Sequence, residues 1–247
     1  MEKEKKSKSY LVVENKKYSS IAYNCFNEST ALNSASDSIA VNTGGKSVAC
    51  SCGEYSIAAT LSFKSCSINN GRSSLTISSG GYSKVITSGY ATVGAITGNC
   101  SECHVKGARS ISASTAKESS SKNKGYLSIS CATSDYSEAS NEGIWSLSVV
   151  TGYGSLASNS GDCSISVASF HNSKAIVEGK ESVAITTGVN CAAKGSIGCW
   201  LILTEREKRR KEISPIKNIK VVKVDGKIIK PNTFYILKDD EIVEIKE

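Results

Sequence analysis

The sequence predicts an all-β protein: a parallel β-solenoid (a β-roll) of about ten 18-residue turns followed by a C-terminal β-meander. Three observations predict it. From Ser20, every ninth residue up to position 191 is Ser in eighteen of twenty cases, the exceptions being Thr92 and Cys191. Two places further on stands a column of small residues, Ala22, Ala31, Ala40, Ala49, Ala58 and Ser67 through to Ala184 and Ala193. Six places after each Ser the usual residue is Gly, as at Gly44, Gly53, Gly71, Gly80, Gly89, Gly98 and Gly107. Self-similarity at a short fixed period is the mark of a stacked solenoid.

Residues 1–19 come first. Met1 to Ser9 is charged and leads into Tyr10-Leu11-Val12-Val13. Four apolar residues are too few for a signal peptide or a membrane span, so this stretch reads as an N-terminal charged arm and cap. With no export signal visible, the expected location is the cytoplasm of a bacterial host or a virion, without membrane contact. The ten cysteines are then expected as free thiols.

Residues 20–200 form the predicted solenoid. Side chains alternate along a strand, so the Ser and Ala columns share one face and the residues between them share the other. Burying the second set would place Lys84, Glu102, Lys122, Glu138, Lys174 and Lys194 in the core, and each unpaired buried charge costs several kcal/mol. The inside is therefore the Ser/Ala face, with hydroxyls bonded to neighbouring rungs or to backbone carbonyls. The glycine column suits a corner that requires positive φ.

A second period of eighteen lies within the first. After alternate serines stands a large apolar residue: Ile21, Ile39, Ile57, Leu75, Val93, Ile111, Ile129, Leu147, Ile165 and Val183. The outward residue two places on is again apolar at Val41, Ile77, Val149, Val167 and Ile185, with Ala59 and Ala95 between. Over a rod of ~48 Å these columns make a patch as large as any usual on a soluble monomer. They are the expected oligomer interface, the alternative being a flattened coil with an apolar skin.

Residues 201–247 break the repeat. Leu201 to Thr204 is expected as a last strand with Trp200 covering the final rung, and Glu205 to Glu212 as a mixed-charge connector. Ile216 to Val224 alternates as a strand, Asp225-Gly226 is a hairpin signal, and Ile228-Ile229 begins the return. Phe234 to Leu237 and Glu241 to Ile245 complete a small capping meander.

Chemistry-bearing motifs are sparse. Cys100-Ser101-Glu102-Cys103-His104 has the form of a covalent haem site, but it keeps the nine-residue phase, so Cys103 replaces a core Ala and neither haem nor zinc is expected. Cys50 and Cys66 lie near each other on adjacent rungs. Asp37, Asp135 and Asp162 do not recur in phase as a calcium-binding roll requires, and no carboxylates cluster as sugar cleavage requires. No catalytic site, metal or cofactor is expected. Thr43, Thr97, Thr115, Thr133, Thr151 and Thr187 form an outward row of the kind found in ice-binding solenoids, interrupted by Leu61, Ser79 and Ser169. The net charge of +7 is scattered, without an arginine stripe or interleaved aromatics, so nucleic-acid binding is not expected.

Two resemblances bear on this pattern. The Ser-Ile-Ala-Val and Ser-Val-Ala units at 38–41, 47–49, 56–58 and 182–185 resemble the head repeats of trimeric autotransporter adhesins. Those are β-rolls whose apolar faces meet in a trimer, and the likeness favours a trimer here. The junction 193–205 followed by 222–231 is similar to uncharacterised repeat proteins encoded by bacteriophages and prophages, which implies a phage or bacterial origin. The expected function is a non-enzymatic, homo-oligomeric scaffold or fibre-like module. The alternative is a surface-binding module for a glycan, receptor or ice. Handedness and copy number have no signature in the repeat.

Overall fold

The computed structural model describes residues 12–207 and 214–245. It is all β, a parallel solenoid carrying antiparallel strands at its C-terminal end. Strands β1 (Val12–Asn15) and β2 (Ile21–Asn24) are followed at nine-residue intervals by β3 to β21, four residues each, from Thr30–Asn33 to Ala192–Gly195. Next comes β22 (Trp200–Arg206), then β23 (Ile216–Lys223), β24 (Phe234–Lys238) and β25 (Glu241–Ile245). Odd strands β1 to β21 with β24 and β25 make a 13-stranded sheet; even strands β2 to β22 with β23 make a 12-stranded one. The two sheets lie back to back, and successive turns pair in a register of eighteen, Ile21 beside Ile39 and Ile111 beside Ile129. Because Val12 already pairs with Thr30, there are about eleven turns rather than ten.

The orientation follows the charge argument. Along almost every strand the first and third residues face out and the second and fourth are buried, as in Ile39–Asn42 and Leu147–Val150. The interior is thin, and the serine column supplies its bonding. The Ser56 N–H donates to the Ser74 hydroxyl one turn on (3.1 Å), and the Ser56 hydroxyl donates to the Ala35 carbonyl (3.2 Å). The same N–H to hydroxyl link recurs from Ser83 to Ser101 and from Ser146 to Ser164. Each hydroxyl is thereby both acceptor and donor, which makes its burial tolerable.

A further inner column was not read from the sequence. Asn24, Asn33, Asn42, Asn69, Asn123, Asn141 and Asn159 end their strands pointing inward. Asn42 shows what they do: its Oδ1 accepts the Gly44 N–H (2.9 Å), while its Nδ2 donates to the Ser29 carbonyl on the corner of the preceding coil (3.1 Å). An Asx turn thus starts the corner and ties it to the chain thirteen residues earlier.

The glycine column serves a different purpose from the one expected. Positive φ falls two places later, on Asp37, Lys46, Tyr55, Lys64 and their equivalents, all near +55°; glycine takes that role at Gly154 and, on the last, shortened corner, at Gly198. Bulky residues tolerate the left-handed backbone because the corner itself is bonded from turn to turn, as from the Tyr55 N–H to the Arg72 carbonyl (2.9 Å). That bond offsets a conformational cost of order 1 kcal/mol. The glycines are required by proximity instead. A β-carbon on Gly53 would stand 1.9 Å from the Ala35 carbonyl oxygen of the turn below.

The C-terminal end also departs from expectation. The last half-turn is one residue short, so Trp200 pairs with Val183 at a separation of seventeen and Cys199 takes the serine place, its thiol donating to the Gly179 carbonyl (3.0 Å). Trp200 therefore turns outward, 42% exposed, and the fully buried Leu201 and Leu203 close the core instead. Asp225-Gly226 does not join two ladder strands. The Asp225 Oδ1 accepts the N–H groups of Lys227, Ile228 and Ile229, and the loop places Val224 and Ile229 in the cluster with Leu201, Tyr235 and Leu237. β23 pairs antiparallel to β22, and β24 meets β21 through Tyr235 opposite Ala193. The tail extends both sheets rather than forming a separate meander, because each last rung offers unpaired backbone groups. Residues 1–11 and 208–213, hence most of the charged arm and of the connector, lie outside the described residues.

Candidate functional site

The even-numbered sheet presents an unbroken apolar face. Ile21, Ile39, Ile57, Leu75, Val93, Ile111, Ile129, Leu147, Ile165 and Val183 form one outward column, and Val41, Ile77, Val149, Val167 and Ile185 lie in the column beside it with Ala59, Ala95, Ala113 and Cys131. Along the eleven strands β2 to β22 neither outward column contains a charged residue. The exposed members include Ile21 (63%), Ile111 (40%) and Ile129 (37%); the others are half-buried against their neighbours up and down the column.

The face is longer than the repeat indicates. Tyr23 begins it, and Trp200 and Ile202 continue it onto β22. Val221, paired with Ile202, carries it onto β23, where Ile219 is also exposed. Tyr23 is in phase with Val41, Trp200 and Ile202 stand one residue out of the strict columns, and only the pairing of β23 brings Val221 and Ile219 alongside. At the far end the Lys223 ammonium lies 5.8 Å from the Trp200 ring centre.

The odd-numbered sheet has a different exterior. Lys84 pairs with Glu102 (3.1 Å), Glu102 with His104 (3.0 Å), and Lys122 with Glu138 (3.4 Å). The His104 and Lys84 contacts hold the Glu102 carboxyl below its ordinary pKa. Exposed pairs of this kind contribute ~0–1 kcal/mol each; they keep that face solvated.

The haem-like motif does not converge. Cys100 occupies a left-handed corner with its thiol towards Glu118 (3.7 Å), Cys103 is fully buried, and His104 faces outward. Burial pushes the Cys103 thiol up to about 11. Cys50 and Cys66 are both free and sit on adjacent rungs, but Cys66 lies beside Val48 and Cys50 beside Ile68, a diagonal relation. Burial, then the Cys52 and Cys66 thiols, push Cys50 to about 11. No group of three His, Cys, Asp or Glu residues among those described is arranged to hold a metal ion. The threonine row runs along the corners, with Thr43 bonded to the Tyr23 hydroxyl (3.3 Å) and Thr151 to the Thr133 carbonyl (3.4 Å).

Two features appear only in three dimensions. A cleft of about 300 Å³ between the last turn and the cap is lined by Thr204, Glu205, Arg206, Lys217, Leu237 and Asp239. Glu205 spans it, accepting from Lys217 (2.9 Å) and from the Asp239 (3.0 Å) and Asp240 (3.1 Å) N–H groups. The second feature adds to the reading of scattered cations: on five successive corners leading from an odd strand to the next even one, aromatic residues and arginines alternate as Tyr55, Arg72, Tyr90, Arg109 and Tyr126. Arg72 and Arg109 lie 5.8 and 5.7 Å from the Tyr90 ring centre.

No family model, curated protein or solved structure matches the chain. Among the described residues no helix is long and apolar enough to cross a membrane, which says nothing of strands.

Proposed function

We propose that the protein is a non-catalytic structural module, a scaffold or fibre-like rod, that self-associates through the apolar face of its even-numbered sheet. One observation carries this reading: both outward columns of that face are apolar over eleven strands, while the opposite face carries charged residues and ion pairs along β9 to β15. Strands about 13 Å wide stacked at ~4.8 Å give roughly 700 Å² per chain, close to the ~800 Å² per partner of a standard interface. Left in water, a surface of that size forgoes several kcal/mol of apolar burial.

The side-chain sizes favour copies that point the same way. About an axis parallel to the rod, the Ile/Leu/Val column of one chain faces the second column of its sister, so Ile57, Val93, Ile111 and Ile129 meet Ala59, Ala95, Ala113 and Cys131. Antiparallel rods would set the Ile/Leu/Val column against itself, crowding that groove, and would face the mixed second column, with Ala or Cys at four turns, against its own copy.

Sedimentation equilibrium tests the reading at micromolar concentration, where an oligomer is expected. Ile111→Lys with Ile129→Lys should yield a monomer with unchanged β-type circular dichroism. A monomeric wild type, or an intact oligomer in the double variant, would overturn it.

A further inference from the structure

Six consecutive turns present, at one corner of the rod, Tyr55, Arg72, Tyr90, Arg109, Tyr126 and Trp145 in that order. Backbone bonds lock these corners together: the Tyr55 N–H to the Arg72 carbonyl (2.9 Å), Ser73 to Tyr90 (2.9 Å), Ala91 to Ala108 (2.9 Å), Arg109 to Tyr126 (2.8 Å) and Leu127 to Ile144 (3.0 Å). The aromatic rings are open to solvent, with Tyr55 63%, Tyr90 40%, Tyr126 50% and Trp145 59% exposed. Arg72 and Arg109 are the only arginines of the coil before its last strand, and they approach the same ring from the turns on either side. Lys106 and Lys124 stand on the same corners. Tyr55, Tyr90 and Tyr126 thus recur every second rung, ~9.6 Å apart, with a guanidinium halfway between each pair.

We propose that this corner binds an extended acidic polysaccharide in which a uronic acid alternates with a neutral sugar. A pyranose ring offers an apolar face that stacks on an aromatic ring, and a carboxylate is the group a guanidinium grips with two parallel hydrogen bonds. In an extended chain each sugar advances by about one rung spacing, so the disaccharide repeat matches the step from one tyrosine to the next. Single-stranded nucleic acid also uses aromatic rings and cations. Its phosphates come at every nucleotide, however, whereas this corner offers one guanidinium per two rungs and is closed off by Glu54 at Arg72 (3.9 Å) and Glu142 at Lys124 (2.8 Å). The sparser charge suits the polysaccharide. The corner lies beside the apolar face, not on it, so the proposal stands apart from self-association.

Titration calorimetry with hyaluronan oligosaccharides long enough to span the six turns tests it. Saturable binding that weakens with salt is expected. Tyr90→Ala, and separately Arg72→Gln with Arg109→Gln, should each lower the affinity by about ten-fold or more while leaving circular dichroism and melting unchanged, since these side chains are exposed. A neutral cello-oligosaccharide should bind at least about ten-fold more weakly. Absence of hyaluronan binding at millimolar concentration, variants that bind like the wild type, or tighter binding of oligothymidylate would each overturn it.

Discussion

Gly94 and Cys103 face each other across the interior: a β-carbon on Gly94 would lie 2.8 Å from the Cys103 Sγ and 2.9 Å from a Val105 methyl. Here the thin core holds its bulkiest mid-rod cluster, Val85, Ile96, Cys103 and Val105, and glycine in the opposing strand makes room for it. The cysteine that resembles a haem ligand in sequence is therefore a packing residue. Gly94→Ala should destabilise the protein by about 1–3 kcal/mol through overpacking, read as a lower midpoint in urea.

Relative direction within the oligomer can be read from a column swap. Ala113→Ile alone should weaken self-association by about ten-fold or more, since it sets Ile against the Ile111 of the sister chain. Ile111→Ala with Ala113→Ile restores one large and one small residue per groove, so sedimentation should show an affinity near that of the wild type. Failure of the double variant to recover, with the wild type still oligomeric, would point to antiparallel rods and leave self-association itself standing.

Glu205 joins the cap to the last turn. Lys217 first, then the Asp240 and Asp239 N–H groups, hold its carboxyl below the ordinary carboxylate pKa. A carboxyl depressed in the folded state contributes stability that is complete above its unfolded pKa of ~4.3 and lost as pH falls through the lower folded value. The protection of the Asp239 and Asp240 amides, measured as exchange relative to an unstructured peptide at the same pH, should therefore be high at neutral pH and fall in acid. In Glu205→Gln that protection should be lower at neutral pH and lose its acid dependence.

The thiols should divide sharply in reactivity. Cys25 and Cys52 are exposed, while Cys103 is buried with its pKa pushed up to about 11. The thiolate is the reacting species. An aromatic disulfide reagent at pH 8 should modify Cys25 and Cys52 at once and leave Cys103 untouched until denaturant is added, as peptide mass analysis would show.

Much of the candidate site was legible because period and polarity reinforce each other. Ile21 to Val183 at every eighteenth residue, against Lys84, Glu102 and Lys174 in the intervening repeats, fix which strand faces are outside from the sequence pattern. The aromatic and arginine corner escaped notice for a physical reason. Its members alternate between two neighbouring corner positions, Arg72, Tyr90 and Tyr126 in one and Tyr55, Arg109 and Trp145 in the other, so no single column displays them. The asparagines were missed because serine, threonine, alanine and valine share their column.

By itself the sequence determined the eighteen-residue turn and the inward direction of the serine and alanine columns, since a charge cannot be buried cheaply and side chains must alternate. The tertiary structure alone decided what depends on neighbouring turns: a carbonyl beneath each conserved-in-phase glycine, the left-handed corners held by bonds to the next rung, the outward turn of Trp200 and the pairing of the tail with both sheet ends. Periodicity is a property of residues along the chain. Close approach and edge pairing are properties of segments eighteen or more residues apart, and they exist only once the coil has closed upon itself.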